Sequence, residues 1–416
     1  MRAVLRSFER TRVLVACSVA GLAMLACAVA SCAQSEGATG TPERNEVTVP
    51  GFDAGSEIAP DGTDCIEAGG DGGCASRERS CAEADFCEVP TGIDRRYALV
   101  DVWGSSARDV WAVGSGGTII HWDGAAWTRV PTPYGDTLRS VGGSGVSDVW
   151  IVSSTSLVLH STGFGTAAGF VRLPPVYEAD AKGGSGAWSL SKVWSPGPGA
   201  VFVGGPPRIA AADPSDSLWR YRFGVAADRA WDPVSTFCRV WPCGGVEGIW
   251  GTSASDIWVI GPKGTVRRST GPVGDGGAEQ WTTMEATLTT ADLHGIWGSS
   301  ASDVWIVGDR GTIRHWSGNG AQHWEIVHAP TTEDLRAVWG TGPSDAWAVG
   351  DAGTILHWDG TSWRAATTTL PEGSKPRLSG VWGSGPDDVW VVGEAVALHF
   401  EGVKTTAAPA TNGGVQ

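Results

Sequence analysis

Residues 335 to 363 read LRAVWGTGPSDAWAVGDAGTILHWDGTSW, and this phrase decides the fold because the chain writes it seven times. Close copies open at Leu99 (LVDVWGSSARDVWAVGSGGTIIHWDGAAW), Val246 (VEGIWGTSASDIWVIGPKGTVRRS), Leu293 (LHGIWGSSASDVWIVGDRGTIRHW) and Leu378 (LSGVWGSGPDDVWVVG). Two weaker copies keep the frame. The one at Leu138 has Gly142 where the first Trp stands elsewhere, and the one at Leu190 has Trp194 and Phe202 with no Asp between them. The first-Trp positions fall at 103, 142, 194, 250, 297, 339 and 382. A period of roughly 40 to 50 residues is the signature of a solenoid, propeller or array.

Each copy reads as strands. LRAVWG, DAWAVGD and TILHWDG are short runs of branched and aromatic residues bounded by Gly, Ser, Pro or Asp. The Trp of SWRAATTT starts a fourth, weaker run, and Gly-rich turns such as GDAG suit tight hairpins. Four strands per repeat and seven repeats predict an all-β fold, a seven-bladed β-propeller over residues 86–402. The two ends of the chain predict closure of the ring. The last copy stops after its third strand, ALHFEG, while FCEVPTG at Phe86 to Gly92 overlays WTRVPTP at Trp127 to Pro133, the fourth strand of the first copy. An N-terminal strand that completes the last blade would remove open sheet edges.

Composition excludes one partner class. With 60 Gly and 23 Trp but only 18% charged residues, the chain suits many strands and turns. Its formal charge of −15, without a basic stripe, repels phosphate backbones, so nucleic acid is not an expected partner.

Residues 1–31 have the layout of a secretory signal: a basic stretch to Arg12, then an apolar run from Val13 to Ala30. The junction Val29-Ala30-Ser31-Cys32 resembles the bacterial lipobox, which implies that Cys32 is acylated and becomes the mature terminus. A plain cleaved signal and an uncleaved membrane helix are the alternatives. Ala33, in place of Asp, favours the outer membrane by the sorting rule of enteric bacteria. The mature chain is thus expected to be exported and held to a membrane through its lipid. Residues 32–64 are polar, acidic and Gly-rich, as in a flexible tether, and residues 403–416 form a tail without Trp.

Residues 65–85 and their border hold Cys65, Cys74, Cys81 and Cys87, which in an exported chain predict two disulfides in any of three pairings. Cys238 and Cys243 are expected to close a small loop. A zinc site is disfavoured, since no CxxC pair and no neighbouring His is present.

The repeat resembles the Asp-box (BNR) propellers, and within them the photosystem II stability/assembly factor type. The resemblance rests on the phrase WAVGxxGTI followed by Asp123-Gly124 with Trp127, by Asp359-Gly360 with Trp363, and more loosely by Gly318 with Trp324. His121 and His357 replace the family's usual Ser or Thr. Asp-box folds include sialidases, so the resemblance also implies a glycoside hydrolase as the alternative function, with Arg139 and Arg336 imaginable in an arginine trio. None of Tyr97, Tyr134, Tyr177 and Tyr221 stands in a recognisable sialidase context, and no GxSxG, HExxH or phosphate-binding loop is present.

The repeated polar residues read as structural. His121, His160, His315, His357 and His399, with Arg268, share one repeat position, and Asp109, Asp148, Asp256, Asp303, Asp345 and Asp388 share another. A ring distributes them one per blade, so neither a metal site nor a cofactor is expected. Function belongs where the copies differ. Arg139, Glu247, His294 and Arg336 follow the opening apolar residue of the innermost strand, a position suited to a channel mouth. An insertion at about Phe223 to Gly245 carries Arg229, Trp231, Arg239 and Trp241, expected on a blade-connecting loop beside that mouth. These features predict a monomeric, non-catalytic module that binds an envelope or extracellular protein or glycan. Metabolic labelling with a palmitate analogue should mark the wild type and miss Cys32→Ser; equal labelling of both would remove the lipid anchor.

Overall fold

The computed structural model describes residues 79–165, 169–176, 189–206, 217–234, 245–272, 279–284, 286–318, 324–373 and 375–402. The leader, the tether, the C-terminal tail and Cys32, Cys65, Cys74, Cys238 and Cys243 lie outside these residues. No described helix is long and apolar enough to cross a membrane.

Seven four-stranded antiparallel sheets carry the seven copies, each sheet with its strands in chain order except the last. The sixth blade shows the plan: Leu335–Gly342 innermost, then Asp345–Gly350, Ile355–Trp358 and Trp363–Ala365 outermost. Its second strand, DAWAVG, is buried at every position after Asp345. Neighbouring blades cover both of its faces, which is why it reads as an unbroken apolar run and not as an alternation. The eight-residue Trp spacing is a hairpin register. Trp339 stands directly opposite Trp347, and the same pairing joins Trp103 to Trp111, Trp250 to Trp258, Trp297 to Trp305 and Trp382 to Trp390. Opposed residues share a face, so both indoles of a pair point at the next blade.

The inner indole meets backbone there. A Cβ on Gly340 would lie 2.9 Å from the Trp297 ring, and one on Gly383 would lie 2.6 Å from that of Trp339. Gly104, Gly143, Gly251 and Gly298 face Trp382, Trp103, Trp194 and Trp250 in the same way. Each Gly of the phrase WG therefore exists for the Trp of the preceding blade. The exception follows the rule: the second blade lacks this Trp and has Gly142, and the third blade has Ser195 where the others have Gly.

The outer indole meets an aromatic from the next blade's fourth strand, edge to face. Trp363 packs on Trp305 at 5.4 Å and 84°, Trp127 on Trp390 at 4.9 Å and 82°, and Trp324 on Trp258 at 5.8 Å and 82°. Phe170 meets Trp111 similarly, at 5.4 Å and 90°. For the last blade the aromatic is Phe86, fully buried at 5.2 Å and 82° from Trp347. Its segment supplies the fourth strand of that sheet, Cys87–Glu88, antiparallel to Val396–Phe400. The strand is shorter than the expected Phe86 to Gly92, but flanking bonds extend the contact. Val89 N donates to Ala397 O (2.9 Å) of that sheet, while Phe86 N donates to Thr367 O (3.0 Å) and Thr369 N to Phe86 O (3.1 Å), which tie the segment to the stretch after the sixth blade's fourth strand.

The stabilising role expected of this segment can be tested by trimming. A chain beginning at Leu99 should lose several kcal/mol, and Phe86→Ala alone about 3–5 kcal/mol, in denaturant titrations. Equal midpoints for trimmed and untrimmed chains would leave the pairing without a role in closure.

Candidate functional site

The innermost strands of all seven blades line a central channel of about 290 Å³. Six half-buried indoles stand in its wall, those of Trp103, Trp194, Trp250, Trp297, Trp339 and Trp382, with the seventh place taken by Gly142. These strands all start on one face of the ring, where the turns between second and third strands, such as Asp351–Gly353, also lie. Here the mouth of the channel is charged.

Arg336 is the centre of the mouth cluster. It donates from Nε to Asp351 Oδ1 (3.0 Å) and from Nη2 to Asp351 Oδ2 (2.6 Å) and Asp334 Oδ2 (2.8 Å). The Asp351 hydrogen bonds raise its pKa despite partial burial. Its Nη1 lies 3.0 Å from His294 Nε2, which in turn is 2.6 Å from Asp309 Oδ1. Arg377 adds a second guanidinium to Asp351, at 3.0 Å. So Arg336 is held by carboxylates of its own ring, and a substrate carboxylate would have to displace them. Glu247 is half-buried, and burial pushes its carboxyl above the usual range while His294, Lys192 and Arg139 pull it back.

The mouth gathers only some of the residues singled out from sequence. His294 and Arg336 line the channel. Arg139 is exposed beside it, without a hydrogen bond or ion pair to any described residue. Arg229 lies elsewhere: its short turn, Ala227–Arg229, joins the third and fourth strands of its blade and so belongs to the opposite face. Trp231 is not a loop residue. It opens the fourth strand, Trp231–Pro233, packs against Tyr221 at 5.0 Å and donates from Nε1 to Pro174 O at 2.8 Å. Its aromatic occupies the blade-contact place that Trp363 holds in the sixth blade, which the weak third repeat concealed. Arg239 and Trp241 lie outside the described residues. Sequence reading passed over Asp101, Ser140 and Lys192, which also line the channel. The available signal was a polar residue in three copies where the other four have Gly or Ala.

The repeated Asp and His residues bond within their own blades. Asp109, Asp148, Asp303, Asp345 and Asp388 each place Oδ1 2.6–2.9 Å from a His Nε2, that of His121, His160, His315, His357 or His399. Arg268 replaces His in the fourth blade, with its Nε 2.9 Å from Asp256. Oδ2 of each Asp accepts a hydroxyl four residues earlier, as from Ser105 at 2.5 Å or Thr252 at 2.7 Å. Three of the imidazoles lie flat on the buried indoles, as His357 on Trp347 at 3.9 Å and 13° and His399 on Trp390 at 4.0 Å and 9°, while His121 and His160 are tilted on Trp111 and Trp150. A hydroxyl, a carboxylate and an imidazole are all present, but the hydroxyl bonds to the carboxylate and not to the imidazole. Nucleophile activation needs the base on the nucleophile, so this order of contacts braces the blade and does not make a catalytic triad. Among the described residues no group of three or more His, Cys, Asp and Glu is placed to hold a metal ion.

The Asp-Gly turns are also internally bonded. Asp359 Oδ1 accepts Thr361 N and Ser362 N, each at 2.9 Å, with Gly360 at φ +89°, and Asp123 does the same for Ala125 N and Ala126 N. His121 and His357 take no part in these turns, being committed to Asp109 and Asp345.

No protein-family model matches this sequence, and no curated protein does. Solved structures do. One described as YCF48 bound to a D1 peptide is 17% identical with a TM-score of 0.56, over 78% of this chain and 97% of that one. YCF48 from Cyanidioschyzon merolae is 16% identical with a TM-score of 0.55, over 76% and 99%. Virginiamycin B lyase from Staphylococcus aureus is 13% identical with a TM-score of 0.53, over 76% and 97%. At such identities the likeness is one of fold, the β-propeller.

The bracing carboxylates set an acid limit on stability. Burial raises the Asp148 carboxyl, but hydrogen bonds from His160, Ser144 and Trp150 outweigh it and bring the pKa from 3.8 to about 2. Asp109, Asp303, Asp345 and Asp388 are likewise held low against their burial. A value lower in the folded than in the unfolded state stabilises fully above the unfolded pKa and is lost as pH falls. The melting temperature should therefore drop steeply from about pH 4 to about pH 2, and less steeply in Asp148→Asn, which starts lower at pH 7. A flat profile across that window in the wild type would rule this out.

Proposed function

We propose that this chain is an exported lipoprotein, held to the outer membrane through Cys32, whose propeller is a non-catalytic module that binds an envelope or extracellular partner at the channel mouth. The carrying observation is the broken symmetry of that mouth. The repeated Asp and His residues are taken up by bonds within their own blades, whereas Arg139, Glu247, His294 and Arg336 occupy one equivalent position with three different chemistries, guanidinium, carboxyl and imidazole. Rigid strands present them, and unlike side chains on a rigid rim are what a specific surface needs. That a propeller of this fold, YCF48, carries a peptide ligand supports the reading by analogy of fold.

Photo-crosslinking from position 139 on the full chain in native envelopes identifies the partner. Replacing Arg139, Arg239 and Trp241 together with Ala should then weaken capture of that partner tenfold or more, a change of about 1.4 kcal/mol, with unaltered melting. Arg229→Ala, on the opposite face, should leave capture intact. Equal loss in Arg229→Ala alone would move the site to the other face. Turnover of a sialoside by the purified chain, abolished by Arg139→Ala, would replace binding with glycoside hydrolysis.

A further inference from the structure

Two departures from the repeat converge on one sector of the channel wall. At the second position after the opening apolar residue, blades four to seven have Gly248, Gly295, Ala337 and Gly380. The next blade keeps these residues small: a Cβ on Gly295 would lie 2.9 Å from Ala337 Cα, and one on Gly380 3.1 Å from Asp101 Cα. Blades one to three instead have Asp101, Ser140 and Lys192 there, all lining the channel. Two residues farther along the middle of these three strands, Gly142 leaves the collar of indoles one short. The channel here runs against Gly142, Gly143 and Ser195, with Trp103 and Trp194 on either side.

The polar trio is ordered but not closed. Asp101 Oδ2 accepts Ser140 Oγ at 2.7 Å and Val141 N at 3.1 Å, and Asp101 Oδ1 accepts Val102 N at 3.1 Å. Lys192 Nζ stands 4.0 Å from Asp101 Oδ2, beyond hydrogen-bond reach, and has no nearer partner among the described residues. An ammonium with unmatched donors therefore faces a fixed carboxylate across a cavity whose lining also includes six indoles.

We propose that this sector is a carbohydrate subsite that holds one neutral pyranose ring. The whole channel, about 290 Å³, is at the small end of ligand pockets, about 300–1,000 Å³, so it has room for no more than a small ligand such as a single ring. An anion meets Asp101, and a cation meets Lys192 and Arg336, so neither sign of charge is favoured. A sugar hydroxyl both donates and accepts; it satisfies Lys192 and Asp101 at once. The apolar C–H face of the same ring rests on indole surface, a use of Trp that pays no charge penalty. An aromatic hydrocarbon would use the indoles alone and leave Lys192 unmatched. This deepens the reading of the ring as a binding module, and it concerns the channel interior, not the rim.

The test uses the purified full chain and a panel of methyl pyranosides and N-acetylglucosamine, followed by saturation-transfer NMR and quenching of Trp fluorescence. At least one neutral pyranoside should bind, and Lys192→Met and Asp101→Asn should each weaken it tenfold or more. Gly142→Trp with Ser195→Gly restores the repeat's Trp-on-Gly contact; it should keep the wild-type melting temperature and abolish binding. Should that double variant fail to fold, Lys192→Met and Asp101→Asn decide alone. No binding by any member of the panel, or binding unchanged in Lys192→Met and Asp101→Asn, would overturn the subsite. Equal binding of benzoate or tetramethylammonium would do the same. Hydrolysis of the bound pyranoside would keep the subsite and overturn the non-catalytic reading, so the two failures are distinguishable.

Discussion

An indole can approach a neighbouring strand this closely only where that strand has no Cβ, and the ring rests on this constraint. Trp of one blade and Gly of the next are a single unit split across a blade boundary, repeated at six of the seven junctions. The consequence is mutual: a side chain at any of these Gly positions would push two blades apart, and loss of any Trp would leave a hole against bare backbone. Large aromatic deletions in packed cores cost about 3–5 kcal/mol, a large part of the net stability of any domain. The junction between the second and third blades, where Gly142 replaces Trp and Ser195 replaces Gly, obeys the same constraint from the other side. With no indole arriving, the Cβ is free to return.

Behind each inner contact, the outer Trp is fixed by polar groups. A buried carboxylate is tolerable when its oxygens are satisfied, and here a hydroxyl and an imidazole (or Arg268) meet each one. The imidazole lies on the outer indole as it does so. Polar satisfaction and aromatic packing thus use the same atoms, and the third blade, with Phe202 and no such Asp, has only the apolar half of the arrangement.

Most of the architecture was legible because it is periodic. The eight-residue Trp spacing, the Asp-Gly turns and the match between FCEVPTG and WTRVPTP each recur or pair within one chain, so the sequence acts as its own comparison. Legibility fell where periodicity did. Trp231 was hidden as a strand residue because the third copy had lost its Asp and its second Trp, leaving no frame from which to count. The mouth residues Arg139, Glu247, His294 and Arg336 were found by comparing one position round the ring. Asp101, Ser140 and Lys192 sit one residue further on, in register with small residues whose meaning is a close approach between strands. That approach is invisible until the blades are in place.

The pairing of the chain's two ends also bears on how the protein comes to be folded. Asp85 bonds with Thr367, 282 residues away, and Phe86 completes a blade whose other strands come last among the described strands. The added loop-closure entropy is small, since each doubling of length costs only about 0.6 kcal/mol. The kinetic burden is larger, because contacts between distant residues form late. Blades one to six can assemble in the order in which they emerge. The first segment must wait unpaired, with a Phe and a strand edge exposed, until the seventh arrives. During that interval an unpaired edge is a target for proteases and for other chains.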